Sequence, residues 1–524
     1  MLKNVTSARL LSYVTENSEV IFCRDVVRES RFTRLTLLML LRMGSARPLG
    51  SWWHALTHQL GLDKAIVYTA AARILQGAGS VGTVLILVRF LTPAEQGYYY
   101  TFWSIVALQA IFEMGFSFVI LQTAAHERAN VQIREDGSID GAQQTQDRLA
   151  RVLQMALRWY FAAAVIMGLT LLCGGAHFFA WHATSTGVAW QWPLRVTVLA
   201  CCATFAIGPV VSFLEGSGMV TDVARMRFAQ SLVSTGLAWG VMMTHHGLYS
   251  PAMVLAGQGV VALSLIIRRW HYLFPLLRRK NCAYALCWHR EVWPFQWKIA
   301  VSWICDYFIF QLFTPVLFAF RGPVEAGRMG LSMSAVTQLG GVVLVWMSTK
   351  AAPFGMLVAR GERKSLDRVF FRTLWQSLSV YVAGASVLMF VVVVLPFVSP
   401  QLSQRIVSWQ VFVILLLTGA SNHLVQSLAL YLRAHKVEPF FVQSIVVAGV
   451  TTTLVLLVAR TYGTNGIACA YCLALGLGGL CSASGIFMRR RAAWSPEWYA
   501  AKRTTDAVVE RSFWTRSKGT RSGS

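Results

Sequence analysis

Apolar residues run along this chain in blocks and seldom alternate singly with polar ones. Long apolar stretches occupy 65–89, 98–124, 157–180, 194–215, 228–244, 251–267, 297–320, 327–349, 373–396, 407–431, 440–459 and 466–488. Each is near or above the ~20 residues that a helix needs to cross ~30 Å of hydrocarbon. The pattern therefore predicts an all-α polytopic membrane protein with about twelve transmembrane helices. The 228–244 and 251–267 pair is the shortest. Alternating strands of ~10 residues are absent, which excludes an outer-membrane barrel.

The polar positions orient these spans. With the spans numbered in order, forty of the 47 Lys and Arg fall on one side, six on the other, and Arg73 lies within the first span. Basic loops stay in the cytoplasm, so both termini are expected there. The chain then divides into a cytoplasmic N-terminal arm (1–64), a first six-span lobe (65–268), a basic cytoplasmic linker (269–296), a second six-span lobe (297–488) and a basic cytoplasmic tail (489–524). The longest apolar run in the arm, Leu37 to Leu41, is too short for a secretory signal. The arm reads either as an interfacial helix over 35–43 or as an extension upstream of a start at Met43.

Composition fits this picture. Of 524 residues, 55% are hydrophobic and only 13% charged, where a soluble chain carries roughly a quarter. A net charge of +24 would suggest nucleic-acid binding in a soluble protein, but these charges sit between spans, and no nucleic-acid partner is expected. Seven of the ten cysteines lie in apolar spans as small hydrophobes. Cys469 and Cys472 have no second pair, and Cys282, Cys287 and His289 lack a fourth ligand, so no metal is expected. The non-cytoplasmic loops are too short for the catalytic domain of a membrane glycosyltransferase, ligase or polymerase, so an enzyme is not expected. No phosphate-binding Gly-x-x-x-x-Gly-Lys-Ser/Thr loop occurs, which leaves an ion gradient as the energy source and no expected cofactor.

A repeat lies within the chain. Pro93, Glu95 and Gly97 recur as Pro323, Glu325 and Gly327, each set between the first and second spans of a six-span half. A fainter echo pairs Arg227-Phe-Ala-Gln-Ser231 with Phe440-Phe-Val-Gln-Ser444 at the start of each fifth span. Six spans is an even number, so both copies enter the membrane in the same orientation, as in a parallel repeat. Two like bundles with a cleft between them can rock to expose the cleft to either side. In the Pro-x-Glu-x-Gly turn, Pro starts a helix, Glu complements its dipole and Gly lets helices approach.

With that turn placed, the chain resembles the polysaccharide-export branch of the MOP/MATE flippase superfamily, the O-antigen translocases and related lipid-linked oligosaccharide flippases. The carrying residues are Arg89-Phe-Leu-Thr-Pro-Ala-Glu-Gln-Gly97-Tyr98, then Glu113-Met-Gly115-Phe-Ser-Phe-Val-Ile-Leu-Gln122, and Gly322-Pro-Val-Glu-Ala-Gly327 in the second half. The resemblance covers about 65–490. It implies a two-lobed, MATE-like fold in the bacterial inner membrane that carries a polyprenyl-diphosphate-linked sugar unit to the periplasmic leaflet for surface polysaccharide (lipopolysaccharide) synthesis. The implied partners are the lipid-linked oligosaccharide, membrane lipids, and polysaccharide polymerase and assembly proteins. The competing reading is a MATE-like ion-coupled drug or cation antiporter, against which the low acidic content of the spans argues.

Ionisable groups inside a membrane are costly and mark function. Arg73, a third of the way into the first span near Gln76, Gly77, Gly79, Ser80 and Gly82, could grip a diphosphate bidentately; alternatively it reaches headgroups or pairs with Glu113. Glu113 and Asp306 are candidates for binding a coupling proton or sodium ion, or are neutralised structural carboxylates. Asn422, His423 and Gln426 cluster on the tenth span as a substrate-binding cavity wall or as interhelical glue. Gly208-Pro209, Pro315 and Pro353 mark expected kinks.

Overall fold

The computed structural model describes residues 64–128, 131–133, 139–141, 143–182, 187–279, 293–435 and 440–494. The arm 1–63, residues 280–292 with Cys282, Cys287 and His289, the tail from 495, and the side chain of Arg73 lie outside the described residues.

The first half contains α1 (Lys64–Phe90), then α2 (Pro93–Ala107), α3 (Gln109–Glu113) and α4 (Phe116–Arg128) as one interrupted rod. It continues through α5 (Gln143–His182), α6 (Gln191–Gly216), α7 (Val220–Met243) and α8 (Ser250–Arg268), and ends on α9 (Trp270–Arg278). A small hairpin of β1 (Val131–Ile133) and β2 (Ile139–Gly141), with Val131 opposite Gly141, interrupts the otherwise helical chain between α4 and α5. The second half runs through α10 (Trp293–Phe310), α11 (Phe313–Arg321), α12 (Pro323–Ser348), α13 (Ala351–Arg360), α14 (Arg363–Val398), α15 (Pro400–Ser403) and α16 (Trp409–Ala434). It closes with α17 (Phe441–Tyr471), a π-helical turn (Cys472–Gly479) and α18 (Leu480–Ala493).

Eight of the described helical runs are long and apolar enough to cross a membrane, or nine with the bent α2–α4 rod. The run Phe441–Ala493 is itself two antiparallel arms. Gly463 breaks it at φ 53° and ψ −137°, and Gln443 on one arm donates from Nε2 to the Gly479 carbonyl on the other at 2.7 Å. The shorter α1 and the more polar α7 complete the twelve rods that the apolar blocks anticipate. α14 shows most clearly what surrounds the bundle: Phe390, Phe397, Val387 and Val398 all face outward. A surface this apolar is one that lipid covers.

Two ends of the bundle differ in chemistry. At the basic end, arginines pair with carboxylates: Arg227 with Glu215 at 2.6 Å, Arg279 with Asp147 at 2.7 Å, Arg491 with Asp367 at 2.8 Å, Arg148 with Glu127 at 2.9 Å, and Arg269 with Asp222. At the opposite end lie the Pro93 and Pro323 turns, the 399–408 connection and Gly463. There Arg405 donates to the Leu91 carbonyl at 2.7 Å. Helices α1–α8 pack mainly on one another, as do α10–α18, and the two sets meet chiefly where α2 lies against α12. Of the expected kinks, Pro315 follows a break at Gln311–Leu312 and Pro353 sits in the first turn of α13, whereas α6 runs unbroken through Pro209.

Candidate functional site

The two copies of the Pro-x-Glu-x-Gly turn touch each other. Both prolines occupy the first helical turn, where a missing N–H costs nothing. In α2 the Thr92 hydroxyl accepts from the Glu95 N–H at 3.2 Å, and the Glu95 carboxylate accepts from the Thr92 N–H at 2.7 Å, a complete capping box. The glycines allow contact between backbones. A Cβ on Gly97 would stand 1.9 Å from the Pro323 carbonyl oxygen, and one on Gly327 would stand 2.8 Å from the Gly97 nitrogen. Beside them Gln96, 1% exposed, donates from Nε2 to the Gly327 carbonyl at 2.8 Å and to the Arg405 carbonyl at 3.1 Å. Tyr98, Phe179 and Phe318 add an aromatic cluster across the halves, with ring centroids 4.9–5.3 Å apart. Burial pulls the Arg405 guanidinium below its ordinary pKa, and the nearby Glu95 charge opposes that shift. The halves are sealed together at this end.

Half-way along, the α2–α4 rod breaks. Met114 and Gly115 both take positive φ, 49° and 65°, and the rod bends by 48°. Glu113 is the last residue before the break. Its carboxylate lies close to the hydroxyls of Ser117 and Tyr160, which are themselves 2.8 Å apart. No ion pair reaches Glu113 among the described residues. A carboxylate beside neutral hydroxyls at a helix break can take up and release a proton. The segment α3 packs on α10, which carries Asp306. That residue is exposed and within electrostatic reach of Arg433 on α16.

On α16, His423 is 3% exposed, bonded to Ser377 of α14 at 3.0 Å and stacked on Tyr381 at 6.1 Å. It therefore makes the interhelical bond that was one of its two readings. Asn422 and Gln426 flank it, half-buried.

In the first half, α1, α7 and α8 enclose a polar chamber of about 320 Å³. Gln76 enters from α1, Arg227, Gln230, Ser231, Ser234 and Thr235 from α7, and Gln258 from α8. A Cβ at Gly79 would meet Thr235 in ordinary contact at 3.4 Å, and Trp239 donates to Thr83 at 2.9 Å, which ties α7 to α1. Arg227 is held bidentately by Glu215 at 3.2 and 2.6 Å. Gln230 donates to the Gln258 carbonyl at 2.9 Å, matching the bond that Gln443 makes to Gly479 in the second half. The faint sequence echo thus marks a glutamine that staples the fifth span to the sixth in each copy. The equivalent second-half space, about 410 Å³, is lined by Val442, Val446, Val450 and Leu454 and is apolar. In the sequence Gln230 and Gln96 stand only as members of repeated motifs, and nothing marks Gln258. The low hydropathy of 228–244 was the available signal for the first.

No family model and no curated protein matches the chain. Solved structures do. A multidrug-resistance MATE transporter of the MOP superfamily, in an inward-facing conformation, superposes with a TM-score of 0.56 over 84% of this chain and 100% of that one at 14% identity. The fold is that of a MOP-superfamily transporter. The lipid II flippase MurJ in an inward closed conformation follows at 0.53, over 86% of this chain and 98% of that one at 12% identity. A MOP-superfamily transporter from Pyrococcus furiosus aligns at 0.50, over 84% and 95% at 14% identity. On this MOP fold the sealed end and the polar chamber occupy opposite parts of the first half.

Proposed function

We propose that the chain is a flippase for a polyprenyl-diphosphate-linked oligosaccharide, moving it from the cytoplasmic to the periplasmic leaflet of a bacterial inner membrane by alternating access. The sealed Gly97 end is then periplasmic, the basic end and both termini cytoplasmic, and 65–268 and 297–488 are the two rocking lobes. The observation that carries the cargo class is the chamber lining: three glutamines, three hydroxyls and Arg227, whose charge Glu215 balances, with no unbalanced carboxylate to draw a cation. Such a neutral, hydrogen-bonding surface favours sugar hydroxyls over an organic cation. The likeness in fold to the lipid II flippase MurJ accords with this.

Arg73 shares α1 with Gln76 and extends the same reading as a diphosphate ligand, with Asn422 and Gln426 as second-half sugar contacts beside the buried His423, and Glu113 and Asp306 as ion-coupling groups. Deletion of the gene tests it. Surface polysaccharide should vanish while lipid-linked units accumulate facing the cytoplasm, and a normal surface glycan would refute it. Arg227→Gln should lower export several-fold with protein levels unchanged.

The reading as an ion-coupled cation antiporter draws on one observation, that Glu113 at the break has no ion pair among the described residues. Raised resistance to cationic dyes on expression would favour it.

A further inference from the structure

A second cavity, of about 330 Å³, opens at the Gly97 end of the second half, between the first turns of α12, the 406–411 segment and the Gly463 turn. Arg321 and Arg328 line it. Both belong to the six basic residues on the side that the charge bias otherwise keeps nearly free of them.

Backbone carbonyls hold these two arginines. Arg321 donates from Nη2 to the Thr461 carbonyl at 2.7 Å and from Nε to the Ala459 carbonyl at 3.4 Å, and Arg328 donates from Nε to the Gln404 carbonyl at 2.6 Å. Carbonyls fix a guanidinium without cancelling its charge. Every described ion pair lies at the basic end, and neither Arg321 nor Arg328 forms one. One acid, Glu325, also lines the cavity; it accepts from the Thr464 hydroxyl at 3.0 Å and leaves the lining with two positive charges against one negative. Nη1 of Arg321 and both terminal nitrogens of Arg328 have no bond among the described residues. A guanidinium offers five N–H donors, so several remain for a ligand.

Gly463 keeps the space open. It sits at φ 53°, and a Cβ there would stand 2.9 Å from Glu325 Oε2 and 3.1 Å from Arg321 Nε. Ser408 and Asn465 add neutral donors to the lining.

We infer that this cavity is an oxyanion site for a phosphate group, with Arg321 and Arg328 as its two charged arms. The phosphate comes either from an anionic bilayer lipid or from a diphosphate. The site rests on the pocket's own charge and geometry, and only the diphosphate source leans on the flippase reading.

The test uses the full chain in a phosphate-free maltoside detergent, titrated separately with inorganic pyrophosphate and with phosphatidylglycerol, with binding read by native mass spectrometry. Saturable binding of at least one probe is expected. It should weaken roughly ten-fold or more in Arg321→Gln/Arg328→Gln and persist in Arg195→Gln, which removes a charge outside the pocket. Pyrophosphate binding identifies a diphosphate source; phosphatidylglycerol binding alone identifies a bilayer lipid. Asn465→Asp, which adds an acid to the lining, should weaken binding too and stands in if the double variant fails to fold. Absence of saturable binding of either probe by the unaltered chain, or equal loss in Arg195→Gln, overturns the inference. Binding that survives while deletion leaves surface glycan normal would refute the flippase reading and keep the site.

Discussion

Single positions decide the closed state. Gly97 is the tightest: even one methyl group would overlap the Pro323 carbonyl oxygen. Gly97→Ala should cost the sealed arrangement roughly 1–3 kcal/mol, the range for overpacking. A cysteine at Ser334, beneath the seal, should then react faster with a charged thiol reagent applied from the Gly97 side. At Glu113 the relevant property is charge. Glu113→Gln keeps acceptors for Ser117 and Tyr160 but cannot ionise, so transport should lose its dependence on the ion gradient while protein levels hold. Undiminished coupling would remove Glu113 from the mechanism. Glu113 and Asp306 stand out in the sequence because each is an ionisable group in an apolar block. Gln96 does not. A lone amide in a turn is commonplace, and its role comes from a carbonyl 231 residues away.

Elements were legible in number but not in their breaks. Apolar blocks set the twelve rods because hydrocarbon thickness fixes their length. The interruption at Met114–Gly115 follows Glu113 and contains a glycine, but no proline announces it. Pro315 did signal a break, displaced to Gln311–Leu312 because proline removes a hydrogen bond from the turn before it. At Pro209 the helix runs on without a break. Gly115 holds a left-handed conformation that other residues enter at a cost of roughly 1–2 kcal/mol. Gly115→Ala should therefore lower the melting temperature in detergent, and an unchanged value would mean that the rod straightens freely.

At the scale of the whole molecule, one repeat supplies two surfaces that fit each other. The Pro-x-Glu-x-Gly turns were legible as a duplication and as helix starts. That they pack face to face was not, because the two copies lie 230 residues apart and only the folded bundle brings them together. The glutamine staples Gln230 and Gln443 show the same plan kept in both halves, while the chambers beside them have diverged, one polar and one apolar. On the proposed alternating-access mechanism, α2 must part from α12 in each cycle.

A reversible cross-link tests that requirement most directly. A Cβ at Gly330 would lie 2.5 Å from that of Tyr100, so after a shift of about 1 Å a disulfide can span Tyr100→Cys and Gly330→Cys in a chain cleared of its native cysteines. With the bond formed, export should stop, and it should resume on reduction. Full export from a quantitatively cross-linked protein would contradict the account.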